Sequence, residues 1–347
     1  MALLNPIMRK RFRKFKTIKR GYYSFLILLI TYVMSLGAEL FVNNKPLVLY
    51  YNGEYYFPVV KFYAGETFGA DYIAEAQYKE LEKSEAFKSN PDNVMLFPLI
   101  PFGYNESDNQ LSGSPPTTPD SRHWLGTDDR GRDLLARLIY GYRVSMSLAF
   151  IIFIISYIIG IFVGGLQGYF GGVIDLSFQR LIEVFSAIPF LPVLMLLASV
   201  FEPSILLLVV VFGLYRWIGV SYYMRAEFLR ARKVEYVESA KSVGASSVAI
   251  MGRHILPNTI TPLVTIAPFA ISSSIILLSS LDFLGFGVPA PTASWGEVLS
   301  QATSNLTSYH LSVFPAVCLF VTLLLVSFVG EAVREAFDPK PYFRHKG

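Results

Sequence analysis

Six apolar runs, at about 22–42, 144–166, 176–201, 204–224, 257–284 and 311–331, stand out from the mixed pattern of the rest of the chain. Each is near the roughly 20 residues a helix needs to cross the hydrocarbon core, where a helix satisfies its own backbone polar groups. The pattern predicts an all-α integral membrane protein with six transmembrane helices. Between the first two runs, residues 43–143 interleave charged and aromatic positions. Within them LVLYYNGEYYFPVV places Asn52-Gly53 between aromatic and β-branched runs, which predicts a β-hairpin. YIAEAQYKELEKSEAFK, 72–88, has a helical composition, and Ser112–Pro119 is rich in turn residues. A small mixed subdomain is therefore expected between helices 1 and 2.

Composition agrees with the pattern. Of 347 residues, 53% are hydrophobic and 16% charged, and the mean hydropathy is +0.44. The formal net charge of +4 gives no case for nucleic acid, and the lipid bilayer is the expected surrounding. The lone Cys318 supports no disulfide framework.

Charge placement predicts orientation. Arg9, Lys10, Arg11, Arg13, Lys14, Lys16, Lys19 and Arg20 precede the first run with no acid among them, which puts the N-terminus in the cytoplasm. Six crossings return the C-terminus to the same side. The 225–256 loop carries Arg225, Arg230, Arg232, Lys233, Lys241 and Arg253, whereas 202–203 and 285–310 hold no Lys or Arg. The expected organisation is a basic cytoplasmic tail and first helix (1–42), an extracytoplasmic insert (43–143), a five-helix core (144–331) and a cytoplasmic tail (332–347). Ser35 and Gly37 could serve a signal peptidase, but the apolar run exceeds a typical signal-peptide core, so an uncleaved anchor is expected.

Enzymatic chemistry finds little support. His123, His254, His310 and His345 are scattered without metal-pair spacing, and neither a phosphate-binding G-x-x-x-x-G-K-[ST] loop nor a G-x-S-x-G elbow occurs. The chain is not expected to hydrolyse ATP or to hold a cofactor itself.

One polar stretch, EYVESAKSVGASSVAIMGRHILPN at 235–258, stands between two apolar runs. Val234–Val243 reads as a short helix, Gly244 can end it in the left-handed conformation, and Ser246 or Ser247 can cap a second helix through Met251. Pro257 suits the first turn of the next span. Small residues at Ser239, Ala240, Gly244 and Ala245 let another surface approach. Composition alone leaves two readings open, a docking plug and an ordinary interfacial loop.

EYVESAKSVG followed by RHILPN resembles the EAA–G–LP cytoplasmic loop of ABC importer permeases. In that family the loop forms a coupling helix that sits in a groove of the ATPase subunit. Carried over by position, the motif falls on Glu238, Ser239, Ala240, Gly244, Leu256 and Pro257, with Ser239 where alanine is more usual. HWLGTDDRGRDLLARLIYGYRVS (123–145), GYFGGVIDLSFQRL (168–181), LDFLGFGVPAPTASWGE (281–297) and the basic NPIMRKRFRKFK are similar to the dipeptide/oligopeptide permease branch. The insert, with LDFLGFG and GEAVREAF, resembles the subgroup associated with microcin C uptake.

The resemblance implies a type I ABC importer permease fold and a role in moving peptides or peptide-like compounds through the inner membrane of a bacterium. The implied partners are a second permease, favoured as a paralogue, two ATPase subunits or one fused ATPase that bind ATP and Mg, and an extracytoplasmic peptide-binding protein. Two rival readings are an ion-coupled secondary transporter and a membrane sensor with a ligand-binding insert.

Further intramembrane features need an account. Gly160, Gly164 and Gly168 form overlapping G-x-x-x-G steps, open to packing within the chain or at a subunit interface. Pro262 and Pro268 fall in the fifth run and are expected to bend it. Arg180, Glu183 and Arg216 need partners or water at membrane depth and are candidates for the translocation path, Arg180 and Glu183 being spaced to pair with each other. Asp128 with Arg130 and Arg132 with Asp133 are expected to pair as surface folding elements.

Overall fold

The structure, a computed structural model, describes residues 6–111 and 113–338. His345, Ser112 and the last nine residues of the expected C-terminal tail lie outside them. The chain divides into two compact units. One comprises Met1–Leu29, Ser145–Pro289 and Phe320–Gly347, and the other Ile30–Val144 and Ala290–Leu319.

The basic segment is helical. α1 (Pro6–Thr17) is followed at once by α2 (Lys19–Leu36). Phe15 of α1 is buried with Ala332 and Ala336 near the C-terminal end of the described chain, and Arg20 pairs there with Glu331. The cations thus serve local packing as well as orientation.

In the second unit, β1 (Val48–Tyr51) and β2 (Glu54–Tyr56) form the expected hairpin, with Tyr51 opposite Glu54. Asn52 (φ 50°) and Gly53 (φ 92°) both take the left-handed conformation that a two-residue turn matching strand twist requires. α3 (Tyr78–Lys83) and α4 (Glu85–Lys88) follow, the latter capped by Ser84 Oγ accepting from Phe87 N. Residues 72–77 are not helical, so the helix expected over 72–88 is shorter and divided. β3 (Val94–Leu96) pairs antiparallel with β1, giving the order β2-β1-β3. Leu49, Tyr51, Phe68, Tyr78 and Phe87 form an aromatic core under this sheet.

α5 (Leu134–Phe170) begins ten residues before the expected second span. Its start is capped by Asp133, whose Oδ1 accepts from Ala136 N at 2.8 Å. Gly171 (φ 66°) and Gly172 (φ 53°) then reverse the chain into α6 (Gly172–Ala187). The third run was expected as one helix. It is two, α6 and α7 (Phe190–Val200), bent by 72°. Pro189 explains the break, because proline lacks the N–H for the ladder and drives Ile188 (ψ 119°) out of helical conformation.

α8 (Ile205–Ala231) starts on Ser204, whose Oγ accepts from Leu207 N at 3.1 Å. α9 (Glu235–Ser242), α10 (Ser247–Ala249), a π-helical turn at Ile250–Ile255 and α11 (Leu256–Thr259) make up the polar stretch. Pro257 lies in α11, not in the first turn of the span. Pro262 fills that position in α12 (Thr261–Phe283), and Pro268 lies within the helix. α13 (Trp295–Ser304) and α14 (His310–Phe337) complete the fold. Among the described residues four helices, α5, α8, α12 and α14, are long and apolar enough to cross a membrane, and the bent α6–α7 pair brings the count to five if it is one span.

The charged loop before α5 pairs differently from expectation. Arg132 meets Asp128 at 2.6 Å, while Asp133 takes His123 Nδ1 at 2.8 Å, and Arg130 lies 3.9 Å from Asp129. Arg132 and Arg137 also reach Glu297 of α13. Arg132, Arg137, Asp128 and Asp133 are buried, so this is an internal network, and sequence reasoning missed Glu297 as its second anchor.

His123 sits between Asp133 and Asp108, the latter 3.2 Å from Nε2. Burial alone would lower the pKa of His123, but hydrogen bonds to the two carboxylates outweigh it and raise the value above its usual 6.5. Asp108 is pushed up by burial and pulled further down by the Gln110 N–H, His123 and Arg122. A raised histidine contributes stability below its unfolded value and loses it as pH rises through the folded one. The depressed carboxyl contributes above its unfolded value and loses it as pH falls through the folded one. The thermal midpoint followed by Trp124 fluorescence should therefore be highest between these limits. His123→Asn should lower that maximum and flatten the alkaline limb. An unchanged alkaline limb would show that His123 stays neutral.

Candidate coupling surface and intramembrane cavity

The polar stretch is held from beneath. Val237, Ile250 and Ile255 are buried against Val220, Met224 and Phe228 of α8 and Leu263 of α12. The end of α9 explains two of the carried-over positions. Ala245 N donates to Ala240 O at 3.0 Å and Gly244 N to Lys241 O at 2.9 Å. With Gly244 at φ 84°, this is the paired hydrogen-bond pattern of a Schellman turn. Ala240 and Ala245, which close such a turn, both pack on the buried cluster.

Above this base the surface is open. Val243 and Val248 flank the turn with exposures of 88% and 81%. Glu238, Ser239 and Ser242 are exposed too, and the two hydroxyls turn back onto the helix, Ser239 to Glu235 O and Ser242 to Glu238 O. The Glu238 carboxylate has no hydrogen-bond or ion-pair partner among the described residues. Leu256 is half-buried on the cluster, and Pro257 is exposed. The tip thus combines two bare valines, a free carboxylate and a fixed turn.

The three glycines of α5 face α8 of the same chain. A Cβ on Gly160 would stand 2.5 Å from Val220 Cβ, and one on Gly168 2.5 Å from Arg225 O. Gly164 is closed off by the Ser221 carbonyl and by Met224. Of the two readings open from sequence, packing within the chain is the one formed. Arg225 also grips Asp175 of α6 through Nε and Nη2, both at 2.6 Å. α8 is thereby fixed on two sides.

Farther along α8 lies a cavity of about 340 Å³, lined chiefly by Phe153, Ser156, Tyr157, Arg216, Tyr223 and Ser273. Arg216 Nη2 donates to Ala270 O and Ser274 Oγ, each at 3.0 Å, and to Ser273 Oγ. The aromatic and hydroxyl residues of this wall were not picked out from sequence, since nothing in their spacing separates them from ordinary span residues. Arg180 and Glu183 do pair, at 2.6 Å, but they line neither this cavity nor the chain interior. Their side chains are 77% and 56% exposed on α6.

Residues 156–341 match the binding-protein-dependent transport system inner membrane component. The chain belongs to that family. The peptidoglycan transport system permease protein YejE of Agrobacterium fabrum is 38% identical over 98% of this chain and 95% of its own length. The inner membrane ABC transporter permease protein YejE of Escherichia coli K12 is 39% identical over 98% and 99%. The oligopeptide transport system permease protein OppC of Escherichia coli K12 is 36% identical over 71% of this chain and 82% of its own. The resemblance to dipeptide and oligopeptide permeases is borne out, and the family makes this a multi-pass inner-membrane component. Likeness to the two YejE permeases runs over almost the whole chain, whereas likeness to OppC is shorter.

Proposed function

We propose that this chain is one of two permease subunits of an ATP-driven importer that carries peptides or peptide-like compounds into the cytoplasm. α2, α5, the bent α6–α7 pair, α8, α12 and α14 supply six spans. Residues 43–143 then lie outside, and the termini and the 235–258 element lie inside. The partners are a second permease, ATPase subunits that bind ATP and Mg, and an extracytoplasmic binding protein. Candidate cargoes are microcin C-type compounds, from the sequence resemblance, and peptidoglycan fragments, from the name of the A. fabrum relative.

The observation that carries this reading is the contrast within the 235–258 element, anchored by wholly buried side chains yet capped by two bare valines and a free carboxylate. Such a tip gains by docking, and the anchors pass its displacement to α8. Glu238, Ser239, Ala240, Gly244, Leu256 and Pro257 form or support it. α8 carries both Arg216 and the residues on which these anchors pack, so movement of the tip reaches the cavity, which we place on the transport path. The chain itself does no chemistry on the nucleotide. ATPase binding drives transport only by favouring one permease state over the other.

The test is uptake by vesicles holding the complete transporter. Uptake should require ATP on the side of the 235–258 element. Val243→Asp with Val248→Asp should leave folding intact, because both side chains are exposed, and should lower uptake about tenfold or more, the loss expected when charge is buried in a docking surface. Uptake that follows an ion gradient without ATP would support a secondary transporter instead.

A further inference from the structure

Arg216 holds an uncompensated charge. Among the described residues no carboxylate lies within ion-pair distance of it, and its recorded partners are a carbonyl and two serine hydroxyls, all on Nη2. Nε and Nη1 make no hydrogen bond to a described residue. An arginine inside a span is costly unless it meets an anion or water. Three oxygens hold the guanidinium at Nη2, and Arg216 is among the residues lining the cavity.

A second group in the same wall is also unpartnered. Ser156 is 3% exposed, and its Oγ has no hydrogen-bond partner. A buried hydroxyl without a partner costs free energy, so it too calls for an occupant. The remaining wall is broad and aromatic, with Phe153, Tyr157 and Tyr223. A Cβ on Gly219, which also lines the cavity, would meet nothing within 4 Å. The volume of about 340 Å³ lies in the range of small-ligand pockets.

We propose that Arg216 and Ser156 bind a carboxylate of the cargo, with the aromatic wall accepting varied side chains beside it. The inference rests on the reading that this cavity lies on the transport path. Peptides with free C-termini share that carboxylate whatever their side chains. Nη1, whose protons meet no described residue, can donate a charge-assisted hydrogen bond to that group, and the serine hydroxyl adds a second. Flat aromatic surfaces supply contact area without demanding one side-chain shape.

The test uses the complete transporter in membrane vesicles, with Cys318→Ala and Gly219→Cys in this chain. Modification of the new thiol by sulfonatoethyl methanethiosulfonate, an anion, is compared with the trimethylammonium-ethyl reagent, a cation. The anionic reagent should be favoured, and Arg216→Gln should reduce the anion-to-cation rate ratio about tenfold or more, as expected for a charge focused in a low-dielectric cleft. Trialanine should protect the thiol, trialaninamide should not, and the difference should vanish in Arg216→Gln. Equal protection by acid and amide would leave the path reading standing and overturn carboxylate recognition. Protection that follows phosphatidylglycerol content rather than trialanine would make the site a lipid-phosphate site and overturn the proposal. Failure of both reagents to react would overturn the proposal and the path reading together.

Discussion

Gly164→Val should leave little folded permease. The added side chain would overlap the Ser221 carbonyl and come within 2.8 Å of Met224 Cβ and 3.0 Å of Arg225 N. Two of these three neighbours are backbone atoms of α8, so no rotamer change relieves the overlap. α8 cannot readily retreat, because Arg225 ties it to Asp175, and Val220, Met224 and Phe228, which border the glycines, also pack in the cluster beneath the 235–258 element. Overpacking of a tight contact costs about 1–3 kcal/mol, and more where backbone must move. The monodisperse fraction after detergent extraction should fall severalfold or more. Gly213→Ala serves as the control, since its Cβ would meet only Ile155 at an ordinary 3.5 Å. Equal behaviour of the two variants would refute the close α5–α8 contact.

Gly244→Val should act in the opposite place, on transport rather than on folding. A Cβ there meets nothing within 4 Å, so no clash disturbs this chain. The cost comes from the backbone. At φ 84° a β-branched residue is a steric outlier, and leaving that conformation breaks the turn that ends α9. The local cost is about 1–2 kcal/mol, enough to shift the tip but not to unseat Val237, Ile250 and Ile255. Detergent-extracted yield should stay near normal, while ATPase co-purification and uptake should fall about fivefold to thirtyfold by the relation of about 1.4 kcal/mol per decade. Gly244→Asn, which tolerates the left-handed region, should retain most activity. Native uptake per ATP consumed by Gly244→Val would return residues 235–258 to an ordinary interfacial loop.

The long apolar helices α5, α8, α12 and α14 were legible because a bilayer leaves so few choices. A run of about 20 apolar residues must become a helix, whatever it packs against. The Asn52-Gly53 hairpin and the turn at Gly244 were legible for a related reason, since each depends on a local backbone conformation that few residues accept. Pro189 was a local signal as well, though the length of its apolar run hid the break.

The partners of these elements were not legible. Spacing identified Gly160, Gly164 and Gly168 as a contact face, but the choice of α8 belongs to the tertiary fold. The charges before α5 were paired by proximity in the chain, whereas Arg132 and Arg137 reach Glu297 more than 150 positions away. Arg180, Glu183 and Arg216 looked alike as ionisable residues in apolar runs. Only the packing put two of them on the outside of α6 and the third beside a cavity with an unpartnered serine. By itself the sequence determined which segments become helices and where the chain must turn, because backbone hydrogen bonding and sterics are local. The tertiary structure decided which faces meet and which charge is left uncompensated, because those energies depend on groups brought together from distant parts of the chain.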